Sequence, residues 1–367
     1  MEDLPVSTIV AGLGFGLGLI FGATVQRTNF CTMGAISDIV IMADWNRFRA
    51  WMLAIAVAIL GSQALNAGGT IDLGQSIYLS ANLGWAGAIV GGLLFGFGMT
   101  MTGGCANKIL ARIGGGNLKS VVALLFLGIF AYMTLRGLTG LLRVQIEAVS
   151  NLDLEGLGLA SQGMPEMLAA ATGLSADAAR WLVILIFAGA LLWFCFKSAA
   201  FRAAPRNIAA GLILGALVPL GWYATGVIGS DDFDPAPLAS LSFVAPVGDA
   251  IQYLMTFTGS TINFGIGTVG GLVVGAFIAA KASGEFRIEA FADAGDMLRH
   301  MGGGALMGVG GIMALGCTIG QGLAGMSTLA LGSLLALASI IAGGVFGVRY
   351  LEQGSFGAAL RAMLARG

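Results

Sequence analysis

The chain has 367 residues, 57% of them hydrophobic and only 10% charged, with a formal net charge of −1. A soluble domain carries about 25% charged residues, so this composition, with a mean hydropathy of +0.89, excludes one and indicates a polytopic membrane protein. The near-neutral balance gives no electrostatic reason to expect nucleic acid, four cysteines without a Cys-x-x-Cys pair argue against a zinc ribbon or thioredoxin-type motif, and a single histidine argues against a multi-histidine metal or haem site.

The chain opens on the acidic Glu2 and Asp3 and its first apolar stretch is long, so no cleavable signal peptide is expected. A spanning helix needs roughly 20 mostly apolar residues. In chain order such segments fall at about 4–25, 50–68, 83–101 and 120–138, then 181–197, then 207–223, 262–280, 300–316 and 329–347. The apolar stretches 31–43, 105–113 and 317–327 are too short to cross and predict re-entrant half-helices. Segment 241–258 is a candidate fourth, displaced by an insert containing Asp231, Asp232, Asp234, Pro235 and Pro237. The expected fold is an all-α polytopic membrane protein of about nine transmembrane helices plus short re-entrant half-helices, one transport domain over 1–367.

Lys and Arg collect in short cytoplasmic loops. Arg47, Arg49, Lys197, Arg202, Arg206, Lys281, Arg287, Arg299, Arg349, Arg361 and Arg366 then share one side, while 69–82 and 229–240 carry neither residue type. This places the N-terminus in the periplasm and the C-terminus in the cytoplasm. Arg136, Arg143 and Arg180 dissent, but they flank the 141–180 loop, which is long enough to translocate regardless of charge. Halves at about 4–140 and 207–347 are then inverted copies around the linking span 181–197, a 4+1+4 arrangement. Inverted repeats put a substrate site near the midplane, where broken helices meet.

One motif recurs in all four quarters. Gly18-Leu-Ile-Phe-Gly22 precedes Cys31, Gly92-Leu-Leu-Phe-Gly96 precedes Cys105, and Gly304-Ala-Leu-Met-Gly308 precedes Cys317, each at the same offset. Gly211-Leu-Ile-Leu-Gly215 leads instead to Ala224, which is expected to face the same axis. The glycine spacing alone means close helix packing, as it does at Gly267, Gly271 and Gly275. A rare residue fixed at one offset means more: three equivalent places each receive a thiol, which predicts a path built from Cys31, Cys105 and Cys317.

A thiol is a weak donor and weak acceptor, suited to holding a soft anion without trapping it. Half-helix N-termini add free N–H groups and partial positive charge. Thr32, Gly34, Gly104, Ala106, Gly316 and Thr318 are small or hydroxyl neighbours that allow close approach. Cys195, in the linking span and off the motif, reads as packing. Ionisable residues at membrane depth are functional candidates, so Arg27, Lys108 and Arg112 either attract an anion or snorkel to headgroups. Gln26, Asn107 and Gln321 are candidate polar support, Asn263 reads as a cap and His300 as interfacial. Trp45, Trp51, Trp85 and Trp181 fall near span ends, as an interfacial belt does.

The stretches Gln26-Arg27-Thr28-Asn29-Phe30-Cys31-Thr32, Gly103-Gly104-Cys105-Ala106-Asn107-Lys108 and Gly316-Cys317-Thr318-Ile319-Gly320-Gln321-Gly322-Leu323, with the loop Ala279-Ala280-Lys281-Ala282-Ser283-Gly284-Glu285-Phe286-Arg287, resemble the YeeE/YedE family of bacterial membrane proteins. The characterised branch of that family takes up thiosulfate. The resemblance implies an hourglass-shaped inner-membrane protein in which Cys31, Cys105 and Cys317 pass thiosulfate inward through transient S–H···S contacts. It also suggests a partnership with a small cytosolic TusA-like sulfur carrier; no cofactor is expected. Other branches are linked to other sulfur or selenium species, and the Lys108 and Arg112 version of the second half-helix bears on which of them is the substrate. Two alternatives stand beside transport: a membrane sulfurtransferase or oxidoreductase using the cysteines covalently, and a channel-like scaffold in which they are structural.

Overall fold

A computed structural model describes residues 5–231 and 235–364; Glu2, Asp3, Asp232, Asp234 and Arg366 lie outside the described residues. The first half comprises α1 (Val6–Thr28), α2 (Thr32–Ser37), α3 (Asn46–Ala67), α4 (Gly92–Met101), α5 (Ala106–Gly114) and α6 (Leu118–Arg136). A connecting region follows with α7 (Leu138–Ser150), α8 (Met164–Thr172), α9 (Ala176–Phe196) and α10 (Ala199–Arg202). The second half contains α11 (Pro205–Tyr223), α12 (Val244–Met255), α13 (Phe264–Ala282), α14 (Ala294–Met313) and α15 (Leu331–Gln353), and α16 (Phe356–Leu364) closes the described chain. Among the described residues the only strands are Asn82–Leu83 and Leu152–Asp153, which pair antiparallel.

Among the described residues, eight helical stretches are long and apolar enough to cross a membrane. The expected span at 300–316 falls on α14, an unbroken helix of 20 residues. It is absent from the eight because its first turns carry Asp296, Arg299 and His300, which lower its mean hydropathy. Helix α9, the linking span, exposes Leu182, Leu185, Ile186 and Trp193, an apolar face of the kind that hydrocarbon chains cover.

The two halves pack alike. Helix α1 lies on α13 as α11 lies on α3, and α4 lies on α15 as α14 lies on α6. Short helix α2 touches α3, α4 and α15, and α12 touches their counterparts α13, α14 and α6. Exchanging the halves turns each of these packings into another of the set, with α12 taking the place of α2.

All four glycine motifs serve these pairs. A Cβ on Gly18 or Gly22 would strike the main chain of Thr268 or Leu272 in α13, and one on Gly92 or Gly96 that of Ala336 or Ile340 in α15. Gly211 and Gly215 meet Ala50 and Ala54 of α3, while Gly304 and Gly308 meet Ala123 and Leu127 of α6. The reading of Gly267, Gly271 and Gly275 as packing holds as well: they face Ala11, Phe15 and Leu19 of α1. Lipid tails are as apolar as leucine, so membrane helices associate through close van der Waals fit, and absent side chains allow it.

Candidate functional site

Each of the three motif thiols follows a residue that stops its helix. Two positions before Cys31, Cys105 and Cys317 stand Asn29, Gly103 and Leu315, with φ of 54°, 68° and 56°. Asparagine and glycine tolerate this left-handed conformation readily; leucine does so at a steric cost. The chain then turns, and Cys31 and Cys105 become the residues that open α2 and α5. Cys317 enters a π-helical turn, Gly320–Gly325.

The turn brings two of the thiols together. Cys31 Sγ lies 4.0 Å from Cys105 Sγ, both buried, and Cys105 donates to Asn107 Oδ1 at 2.6 Å. Around this pair are buried polar atoms with no hydrogen-bonding partner among the described residues: the hydroxyls of Thr32 and Thr318 and Nδ2 of Asn107. Thr318, next in the chain to Cys317, lies beside Cys105. Cys317 itself accepts from the Gly320 N–H at 3.5 Å and sits against the main chain of Phe243, as Cys105 sits against that of Thr32. Gln321 is buried and donates to the Ala314 carbonyl, leaving its own Oε1 without a partner among the described residues.

The fourth quarter departs from its sequence pattern. Ala224 is only 4% exposed and so does not face lipid, but no half-helix begins there. The helix runs on through it as one segment, Pro205–Ile228, because Trp222 is helical where the other quarters turn. The half-helix α12 starts only after the insert, which Thr225 holds by accepting from the Ala239 N–H and donating to its carbonyl. Phe243 therefore opens α12 as Cys31 opens α2, with its ring against Phe21. Nothing in the motif spacing announces this substitution.

On one side of the thiol pair opens a vestibule of about 630 Å³. Among its lining residues are the predicted Gln26, Lys108 and Arg112, together with Asn29, Asp296 and His300. Lys108 Nζ donates to Asn29 Oδ1 at 2.8 Å, and Gln26 Nε2 donates to Glu285 at 3.3 Å. Asp296 is held by Lys119 at 2.8 Å and Arg299 at 2.7 Å. Arg27 is exposed and does not line this space, which fits snorkelling. On the other side, beneath Tyr78, Gln162, Gln321 and Ser333, the cavity is only about 20 Å³, roughly the room of one water. Gln162 closes it by accepting from Leu331 and Gly332 N–H groups at the start of α15.

Cys195 is fully buried and donates to the Arg49 carbonyl at 3.2 Å between α9 and α3. Asn263 caps α13 by accepting from Ile266 N–H at 2.9 Å.

Residues 27–346 match the family described as sulphur transport. The chain is 29% identical over 337 residues to the thiosulfate transporter TsuA of Escherichia coli K12, a match covering 86% of this chain and 87% of that protein. It is 28% identical over 327 residues to the thiosulfate transporter TsuA of Spirochaeta thermophila, covering 85% and 90%. A shorter match, 32% identical over 103 residues, covers 28% of this chain and 23% of the probable transporter YedE of E. coli K12.

Proposed function

The chain belongs to the sulphur transport family, that of the YeeE/YedE proteins, and from that premise we propose that it imports a small sulfur-containing anion, thiosulfate first among them, along Cys31, Cys105 and Cys317. The observation that carries the reading is the buried Cys31–Cys105 pair, 4.0 Å apart, ringed by the unpartnered Thr32, Thr318 and Asn107 groups. An anion entering a dry passage loses its hydration, a cost of tens of kcal/mol in the idealised Born picture. Donors that are buried and not committed elsewhere offset that cost without themselves being torn from other partners. Thiols suit the sulfur end of the ion because they donate weakly, so each contact is readily exchanged for the next.

In the bacterial inner membrane, with the N-terminus periplasmic and the C-terminus cytoplasmic, the 630 Å³ vestibule faces the cytoplasm and the Gln162-capped side faces outward. An anion then reaches Cys317 from outside, passes to the Cys31–Cys105 pair and leaves through the vestibule, where a TusA-like sulfur carrier draws the sulfur onward. The close pair also supports a second reading, in which one thiolate attacks the outer sulfur of thiosulfate, breaking its S–S bond and releasing sulfite, and holds that sulfur as a persulfide, so that the protein acts as a sulfurtransferase.

A bacterium unable to use other sulfur sources, supplied with thiosulfate alone, tests the substrate. Cells making this protein are expected to grow and cells with an empty vector are not. Absence of growth, with the protein present in the membrane fraction, would remove thiosulfate as the substrate. Uptake of labelled thiosulfate into liposomes holding only the purified protein separates transport from sulfur transfer, since a sulfurtransferase would leave label bound to cysteine.

A further inference from the structure

Two cations beside the thiol pair have no acidic partner among the described residues. Lys108 is only 8% exposed, and its one hydrogen bond goes to the neutral Asn29 side chain at 2.8 Å. Arg112 follows four residues later on the same helix, α5, and lines the same vestibule; among the described residues it has no ion pair. Like charges at this spacing repel each other, and a buried ammonium without a counter-charge is costly. The acids of the vestibule do not relieve either cation. Asp296 is taken up by Lys119 and Arg299, Glu285 by Gln26, and Glu289 by Asn117 Nδ2.

We propose that Lys108 and Arg112 form a resting station for a divalent sulfur oxyanion on the vestibule side of the Cys31–Cys105 pair. This rests on the reading of that pair as part of an anion path and adds a charge filter to it. The two selections are separate. Thiols favour a soft sulfur atom but distinguish weakly between one and two negative charges. Two fixed cations make the opposite choice, matching a dianion and holding a monoanion less well. The arrangement also explains why Lys108 is tied to Asn29: the residue that turns the chain into Cys31 positions the ammonium next to the thiols. A guanidinium presents a planar fork to an oxyanion, whereas the ammonium acts as a point charge, so the pair can hold the oxygen end of an ion whose sulfur end has just left a thiol.

The test is the melting of the full-length protein in a neutral, phospholipid-free detergent. Sodium thiosulfate, sulfate, thiocyanate and chloride are compared at equal ionic strength. Wild type is expected to melt higher with the two dianions than with thiocyanate or chloride. Lys108→Met and Arg112→Met are each expected to raise the half-saturating dianion concentration by about tenfold or more, the scale of one charge-assisted hydrogen bond, and Lys108→Arg is expected to keep most of the response. With no dianion present, Lys108→Met is expected to melt at or above wild type, because it removes a lone buried charge; this separates lost binding from lost folding. The station is overturned if wild type does not distinguish dianions from monoanions, if both methionine variants keep the response, or if only added phosphatidylglycerol produces the shift. A protein that fails to take up thiosulfate but shows a Lys108-dependent sulfate response retains the station and loses the thiosulfate assignment. One that takes up thiosulfate without such a response loses the station alone.

Discussion

Cells carrying Cys31→Ala, Cys105→Ala or Cys317→Ala are expected to grow on thiosulfate little better than cells without the protein, while Cys195→Ala cells grow like wild type at matched expression. A hydrogen bond to a charged group is worth about 1.5–3 kcal/mol, so losing one such donor is expected to slow passage by roughly tenfold to a hundredfold. Cys105→Ala has the larger expected effect of the close pair. It removes a thiol 4.0 Å from Cys31 and also leaves Asn107 Oδ1, its acceptor at 2.6 Å, without that donor beside the proposed anion path. A bare carbonyl oxygen there repels an anion. Cys195 donates to a main-chain carbonyl between two helices, so its loss costs only the small amount of one packed thiol. Serine variants refine the result. A hydroxyl still donates a hydrogen bond but cannot form a persulfide, so partial growth of Cys105→Ser favours the non-covalent path, and complete loss in every serine variant favours sulfur transfer. Normal growth of all three alanine variants would mean that the thiols are packing residues.

Much of this site is written locally. The helix-stopping residues two positions before each thiol are a polar Asn29, a glycine at Gly103, and Leu315 followed by Gly316, and the glycine motif fixes each helix against its neighbour. The place of Ala224 was not legible in the same way. The motif offset counts residues, but the position of a half-helix depends on where the preceding helix ends, and Trp222 lets α11 run on. The counterpart of Cys31 thus moves to Phe243, a residue with no sequence mark. Lys108 and Arg112 were visible as charges in an apolar setting, but whether they are paired depends on acids from 285–296, brought to the same vestibule by tertiary folding. Arg27, next to Gln26 at the end of α1, looks equally placed in sequence yet is exposed outside the vestibule.

The same helix offers the most direct contrast between glycines that pack and glycines that do not. Gly22→Val is expected to prevent accumulation of folded protein, whereas Gly16→Val, six residues earlier, is expected to be tolerated. A side chain at Gly22 would enter the carbonyl of Leu272, while one at Gly16 meets nothing within 4 Å. Overpacking a well-fitted core costs about 1–3 kcal/mol when side chains can shift; here the obstacle is main chain, so α1 and α13 must separate. Separation is not local, because Gly14, Gly18 and Gly22 on α1 alternate with Gly267, Gly271 and Gly275 on α13 along one seam. Parting the seam forfeits dispersion attraction along its length, and in lipid no hydrophobic gain compensates for it. Recovery of monodisperse protein by size-exclusion chromatography in detergent measures the difference, and equal recovery of the two variants would refute the seam as the holding contact. Gly22→Ala sets a finer limit. It introduces only the clashing carbon, and α1 ends at the Asn29 turn that carries Cys31, so a small displacement of this helix moves one thiol of the pair relative to the other. Thiosulfate uptake should therefore fall in Gly22→Ala at expression levels where folded protein is still recovered, which makes the glycine seam a determinant of the thiol spacing as well as of the fold.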